Sequence, residues 1–486
     1  MRIRRRADRS GESDSGGLLA RARVVAEHTP PERDRVVDLL RSTSLAVVVL
    51  GHLLMAVVIW RAGTPHVENL LGALPAAQLV TWVLQVMPLF FLAGACSNAI
   101  SWERARSRGI GWSTWFYNRL TRLVRPLIAY LGVWILMVIS AGQFLQPKLL
   151  APLAALSTQL LWFLGVYVVV IALTPWLGGN AARAPWRAPA VMLAVSAGID
   201  AMRFSTGVEA FGLASFVVVW AMAAQLGLAI RRAAPSRYAL AAIVVGGLAI
   251  NGLLVTAGPY PVSLVGLPGA GISNMSPPTV VLAVHCWILT ALAGLLWNRL
   301  DRLTRRPAVW NATVMLGGIS MTLYLWHLTA LVGVIAAEHA LGWNRSLALG
   351  SGWFWLETAL HMFATLCVAW ILVSVFAPLE HRGFSWLGAP RSGRESMSFG
   401  VLSVVPCALG FLVLAATGLA GVPFGRVTSY DRFPLTPGLG LSLLAVGVWL
   451  ARSAASQAPR PVGQAHVTQH APIPVGILSC GRGNSL

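Results

Sequence analysis

The stretch "VVDLLRSTSLAVVVLGHLLMAVVIW" (36–60) decides how the rest of the chain is read. From Ser42 onward it is apolar enough and long enough to cross a bilayer, which takes about 20 residues. It nevertheless carries Asp38 and Arg41 near its start and His52 in its middle. On a helix, the eleven steps from Arg41 to His52 return to within about 20° of the same face, about 16 Å further along the axis. Asp38, three residues before Arg41, joins that stripe. Arg41 is thus expected at a membrane boundary, where a guanidinium snorkels or binds phosphate. His52 is expected deep inside, where an ionisable group faces the bundle interior and marks function. A neutral histidine hydrogen-bonded between helices is the plainer alternative.

The whole chain fits this reading. Of 486 residues, 56% are hydrophobic and only 11% charged, against about a quarter charged in soluble domains. Twelve apolar runs recur: 42–60, 76–100, 126–145, 158–178, 189–205, 208–230, 238–257, 279–298, 311–337, 353–376, 399–421 and 435–451. The fifth and twelfth are short, and Asp200 and the flanking Arg203 weaken the fifth. The predicted class is an all-α polytopic membrane protein. With twelve spans, both ends and the even-numbered loops share a side. All but six of the 37 Lys and Arg residues fall on it, the exceptions being Arg61, Lys148, Arg203, Arg345, Arg426 and Arg432. The positive-inside rule makes that side cytoplasmic, so both termini are expected in the cytoplasm.

A net charge of +20 raises the question of nucleic acid. The arginines are spread over loop after loop beside anionic headgroups, so the bilayer is the expected partner and nucleic acid is not. The cysteines (Cys96, Cys286, Cys367, Cys407, Cys480) lack C-x-x-C spacing, and neither a disulfide framework nor a metal site is expected. Residues 1–35 lack a signal-peptide h-region and read as a flexible basic cytoplasmic arm; residues 452–486 read as a disordered cytoplasmic tail. His466 and His470 in that tail are spaced i,i+4 but belong to its disorder. "GLPGAG" (266–271) follows no strand and is a loop, not a nucleotide site.

Two further clusters accompany the first stripe. "GISMTLYLWHLTAL" (318–331) places Ser320, Tyr324 and His327 at i, i+4 and i+7, one face of another span. "WFYNRLTRLVRPLIAY" (115–130) sets Arg119, Arg122 and Arg125 three apart at the arginine-rich mouth. Topology explains charge there, whereas arginines at one helical spacing ending in a proline suit an anionic ligand. Interhelical hydrogen bonding is the alternative for Ser320 and Tyr324. Glu357 with His361, and His285 within the membrane, read as structural pairings.

In this order the pieces resemble the membrane-bound acyltransferase 3 family of bacterial sugar and envelope O-acyltransferases. Asp38, Arg41 and His52 match its acidic residue and R-x10-H pattern; "MPLFFLAGA" (87–95) matches its second span. "RLTRLVRP" (119–126) matches its basic loop, "LWFLGVY" (161–167) its fourth span, and "ISMTLYLWH" (319–327) its late I-S-x-x-x-Y-L-x-H pattern. The resemblance covers roughly 36–380. It implies a ten-helix acyltransferase core at 36–380, leaving two additional transmembrane helices within 381–451. It implies a place in the bacterial cytoplasmic membrane, acyl-CoA (acetyl-CoA) as donor, and an extracytoplasmic carbohydrate or glycolipid as acceptor. Some members carry a fused SGNH hydrolase-like domain. Residues 381–486 are too few and too apolar for one, so a second transfer step is expected to need a separate transfer protein.

On that resemblance, Arg41, Arg119, Arg122 and Arg125 would hold the donor's phosphates, and Asp38 would orient Arg41. His52 would act as general base or carry the acyl group transiently. Ser320, Tyr324 and His327 would serve the acceptor side or helix contacts. The competing class is a proton-coupled secondary transporter using intramembrane His, Asp200 and Glu357. Such transporters show repeated halves, and spans 1–6 and 7–12 share no motif.

Overall fold

The computed structural model describes residues 18–30, 33–61, 64–144, 147–267, 271–343, 352–382, 384, 387, 395–422, 428–430 and 433–456. Its helices are α1 (Leu18–Glu27), α2 (Arg35–Met55), α3 (Leu70–Ala73), α4 (Thr81–Leu84), α5 (Met87–Ser107), α6 (Trp112–Ala141), α7 (Pro147–Thr158) and α8 (Leu161–Arg183). They continue as α9 (Arg187–Thr206), α10 (Gly212–Arg232), α11 (Arg237–Ala257), α12 (Val280–Thr304), α13 (Pro307–Ala340), α14 (Gly352–Arg382), α15 (Met397–Thr417) and α16 (Pro437–Ala454). Among the described residues, eleven helical segments are long and apolar enough to cross a membrane. The chain is an all-α polytopic membrane protein. The run at 189–205 is a helix, α9, but Arg187, Asp200 and Arg203 keep it below that apolar threshold.

Hydrogen bonds fix the two ends of the bundle. At the arginine-rich end, Arg231 of α10 pairs with Asp34, the N-cap of α2, at 2.7 Å. Arg35 donates to the Thr304 carbonyl of α12, and Trp186 Nε1 to the Ala233 carbonyl just after α10. The opposite end is closed by the segment between α11 and α12. Trp82 donates to the Val262 carbonyl at 2.8 Å and Gln85 to the Leu264 carbonyl at 3.0 Å. Asp200 accepts from the Val280 amide (2.7 Å), the first turn of α12, and from the Tyr260 hydroxyl (3.1 Å). Burial, then the facing Asp200 carboxylate, holds the Tyr260 hydroxyl above its ordinary range, so it stays a donor. Asp200 is therefore a helix cap and loop tie.

Three expectations need correction. The first span stops at Met55 rather than Trp60. Residues Ala56–Arg61 form β1, paired antiparallel with β2 (Thr64–Asn69). "AVVIW" is rich in β-branched and aromatic residues, which suit a strand as well as a lipid-facing helix. The "basic loop" at 119–126 is helical, since α6 begins at Trp112 and carries Pro126 in its interior. Part of the N-terminal arm is also ordered. α1 packs on α13, Trp310 donates to Thr29 Oγ1 at 2.9 Å, and the Arg35 guanidinium lies 4.8 Å from the Trp310 ring centre. The tail from 457, residues 1–17 and part of "GLPGAG" lie outside the described residues.

The core is aromatic and tightly approached. Phe91 of α5 stacks on Trp220 of α10 (4.7 Å) and meets Phe163 of α8 edge-on (5.3 Å). Trp326 of α13 lies between Tyr130 of α6 and Phe376 of α14. At Gly227 a Cβ would stand 2.8 Å from the Leu92 backbone oxygen, so only glycine lets α10 lie this close to α5. A second short hairpin, β3 (Thr428–Tyr430) with β4 (Phe433–Leu435), joins α15 to α16.

Candidate functional site

α2 and α13 run side by side in the same direction, and two levels of contact set their register. Near the arginine-rich end, Ser42 Oγ donates to the Thr313 carbonyl at 3.1 Å, and Gly317 faces Arg41. About three turns further along both helices, His52 and His327 meet. Their rings stack with centres 5.3 Å apart, and His52 Nδ1 lies 3.2 Å from His327 Nε2. The two histidines that the sequence places on separate faces of separate spans are one pair.

The surrounding acceptors determine where the protons sit. His327 Nδ1 lies 2.8 Å from the Tyr324 carbonyl and 3.1 Å from that of Leu323. A carbonyl only accepts, so this nitrogen carries hydrogen. In the neutral ring His327 Nε2 is then the lone-pair nitrogen, and it accepts from His52 Nδ1–H. The remaining nitrogen of His52, Nε2, keeps its lone pair. His327 is fully buried and His52 partly exposed, so the nitrogen left basic belongs to the more accessible ring.

Tyr324 and Ser320 are tied elsewhere. The Tyr324 hydroxyl donates to the Leu160 carbonyl at 2.5 Å, bracing α13 against the turn before α8. Ser320 Oγ donates to the Gly317 carbonyl of its own helix. The structure thus brings His327, but neither of these hydroxyls, to His52.

At the arginine-rich end, Asp38 is buried and accepts from two guanidiniums, Arg33 at 2.6 Å and Arg41 at 3.0 Å. This fixes one Arg41 nitrogen, while Arg41 Nε is buried without a hydrogen-bond partner. Arg119 donates to the Ser97 carbonyl and stands within electrostatic reach of both Arg122 and Arg41. Arg122 is exposed, and Arg125 Nε is a second buried guanidinium nitrogen without a partner. Arg119 of α6 thus stands near Arg41 of α2, and Arg41 lies about three turns along α2 from His52. Arg33 was missed in the sequence because it falls in the segment read as flexible. Its place five residues before Asp38, just ahead of α2, is its one signal in the sequence.

A family model described as an acyltransferase domain matches residues 34–374. The chain belongs to the acyltransferase 3 family. The match runs from the Asp34 cap of α2 into α14, enclosing the histidine pair and the arginine cluster and leaving α15 and α16 outside. This acyltransferase is a multi-pass membrane enzyme that transfers groups other than aminoacyl groups. No curated protein and no solved structure gives a match. Among the described residues of this family member, no three His, Cys, Asp or Glu side chains are grouped to hold a metal ion.

The family match sets the transporter alternative aside, and two of its proposed relay carboxylates are engaged elsewhere. Asp200 is spent on the α12 cap and Tyr260. Glu357 accepts from Trp343 at 3.4 Å, and His361 pairs with Glu338 at 2.7 Å rather than with Glu357.

Proposed function

We propose that the chain is an O-acyltransferase of the bacterial cytoplasmic membrane. It moves an acetyl group from cytoplasmic acetyl-CoA to a hydroxyl of an extracytoplasmic carbohydrate or glycolipid. The observation that carries this reading is the His52–His327 pair, set on the same face of α2 as Arg41 and about 16 Å from it. Arg41, Arg119, Arg122 and Arg125 would take the donor's phosphates, since guanidinium forks match phosphate oxygens. The unpartnered Nε atoms of Arg41 and Arg125 support this: a buried cationic donor without an acceptor is costly, and an anion relieves it. The extended pantetheine arm is of a length to bring the thioester from there to His52.

His52 Nε2 takes the proton of the acceptor hydroxyl as its oxygen attacks the thioester carbonyl. The tetrahedral intermediate collapses with cleavage of the C–S bond, and the imidazolium returns the proton to the departing thiolate. Ester and free CoA result. Throughout, His52 Nδ1–H stays directed at His327 Nε2, which orients the ring and supports its transient positive charge. Asp38 holds Arg41 in place. Both termini lie in the cytoplasm on this reading, and a separate protein would perform any second transfer.

The test is chemical analysis of envelope glycans and lipids. Deletion should remove a base-labile acetyl ester that the wild-type chain restores and an inserted His52→Ala variant does not. An unchanged ester inventory overturns the assignment.

A further inference from the structure

The two helices outside the family match are joined to the first turn of α6. Glu395, two residues before α15, accepts from the Ser113 amide at 2.6 Å and the Thr114 amide at 3.3 Å. These are free donors at a helix N-terminus, where a carboxylate also complements the helix dipole. Ser113 Oγ donates to the Ser396 carbonyl (3.1 Å), and the Ser396 amide to the Ala454 carbonyl at the end of α16 (3.0 Å). The Ser456 amide returns to Thr114 Oγ1 at 3.1 Å. The ring closes from α15 through α16 back to α6.

The sequence makes room for it at one residue. Gly111 has ordinary backbone angles (φ −75°, ψ 171°), so its conformation does not require glycine. A Cβ there would collide with the Glu395 carboxylate. Elsewhere the pair is held by close backbone approach: a Cβ on Gly165 of α8 would lie 2.8 Å from the Ala408 carbonyl of α15. Arg119, Arg122 and Arg125 follow Ser113 on the same helix, about 9, 13 and 18 Å along its axis.

We infer that α15 and α16 form a positioning clamp for the donor site, with Glu395 as its contact on α6. This rests on the reading of the arginines as holders of the donor's phosphates. The clamp fixes the start of α6 so that Arg119 stays near Arg41 and the guanidiniums that follow it on the helix keep their place. Glu395 touches no substrate and acts through the helix it caps.

The experiment uses the full chain, purified in detergent, with radiolabelled acetyl-CoA as probe. Binding is measured alongside amide hydrogen exchange over residues 113–118. Glu395→Ala and Gly111→Ala should each weaken acetyl-CoA binding about five- to tenfold and speed exchange in that turn. KM in the transfer assay should rise equally, with kcat within twofold. Ser236→Ala removes the cap of α11, a 3.2 Å bond to the Ala239 amide, and should leave acetyl-CoA affinity unchanged. Faster exchange with wild-type affinity, or unchanged exchange, overturns the clamp. So does a fall in kcat at constant KM. Wild-type protein that binds no acetyl-CoA overturns the donor reading instead, which keeps the two failures distinct.

Discussion

Glutamine substituted at His52 and at His327 should give opposite results, because the pair is asymmetric in its hydrogen bonding. His52→Gln removes Nε2, the lone-pair nitrogen of the more exposed ring, and an amide does not shuttle a proton near neutral pH. A general base is worth about 10²–10⁴-fold, so kcat should fall by that factor. Toward His52, His327 only accepts, through Nε2, from His52 Nδ1–H at 3.2 Å. A glutamine carbonyl oxygen at 327 accepts the same proton and holds His52 in the same tautomer, so His327→Gln should stay within about tenfold of wild type. His327→Ala removes the acceptor altogether. The lost bond serves an imidazolium as the reaction proceeds, and hydrogen bonds to charged groups are worth about 1.5–3 kcal/mol. At about 1.4 kcal/mol per decade, kcat should fall about 10- to 150-fold. The assay is restoration of the envelope acetyl ester in a deletion strain, normalised to membrane-inserted protein, with CoA release by the purified enzyme. An active His52→Gln beside a dead His327→Gln would invert the roles, and equal activity of both would make the pair a packing contact.

Removing charge at Arg122 or Arg125 should raise KM for acetyl-CoA about tenfold or more with little change in abundance. Lysine should rescue only partly, because an ammonium lacks the planar fork; unchanged KM would leave these arginines as topology signals. Single cysteines at Ile110, Ala270 and Pro390 should label from the cytoplasm, the outside and the cytoplasm respectively. Labelling of position 110 from outside would invert the topology.

Much of the helix count was legible because each span is an apolar run bounded by arginine, and hydropathy and charge asymmetry are local properties. The stripe of Asp38, Arg41 and His52 was legible for the same reason: it repeats with the helix period within one element. The His52–His327 bond was not, since it depends on the register of two helices 275 residues apart. Tyr324 shows the limit from the other side. Its spacing puts it on the face of His327, but its hydroxyl is taken by the Leu160 carbonyl, a backbone group without a sequence signature. Glu395 carries still less signal, lying 282 residues from the amide it caps.

Gly317 of α13 lies at the level of Arg41, ten residues before His327. A Cβ on it would stand 3.6 Å from Arg41 Nη2 and from Ser42 Oγ, ordinary van der Waals contact. Gly317→Ala should therefore be tolerated, and it trades the helix cost of glycine, about 1 kcal/mol, for the best helix former. Gly317→Leu adds three further carbons in the direction of the Arg41 guanidinium, which is already bonded to Asp38 at 3.0 Å. The guanidinium must swing away or α2 must move outward. The disturbance falls about 15 Å from the histidine pair, so KM for acetyl-CoA should rise before kcat falls. A Leu variant with wild-type KM and reduced kcat would show that Arg41 does not hold the donor. Loss of the Ala variant would mean the α2–α13 approach is tighter at this level than its contacts indicate.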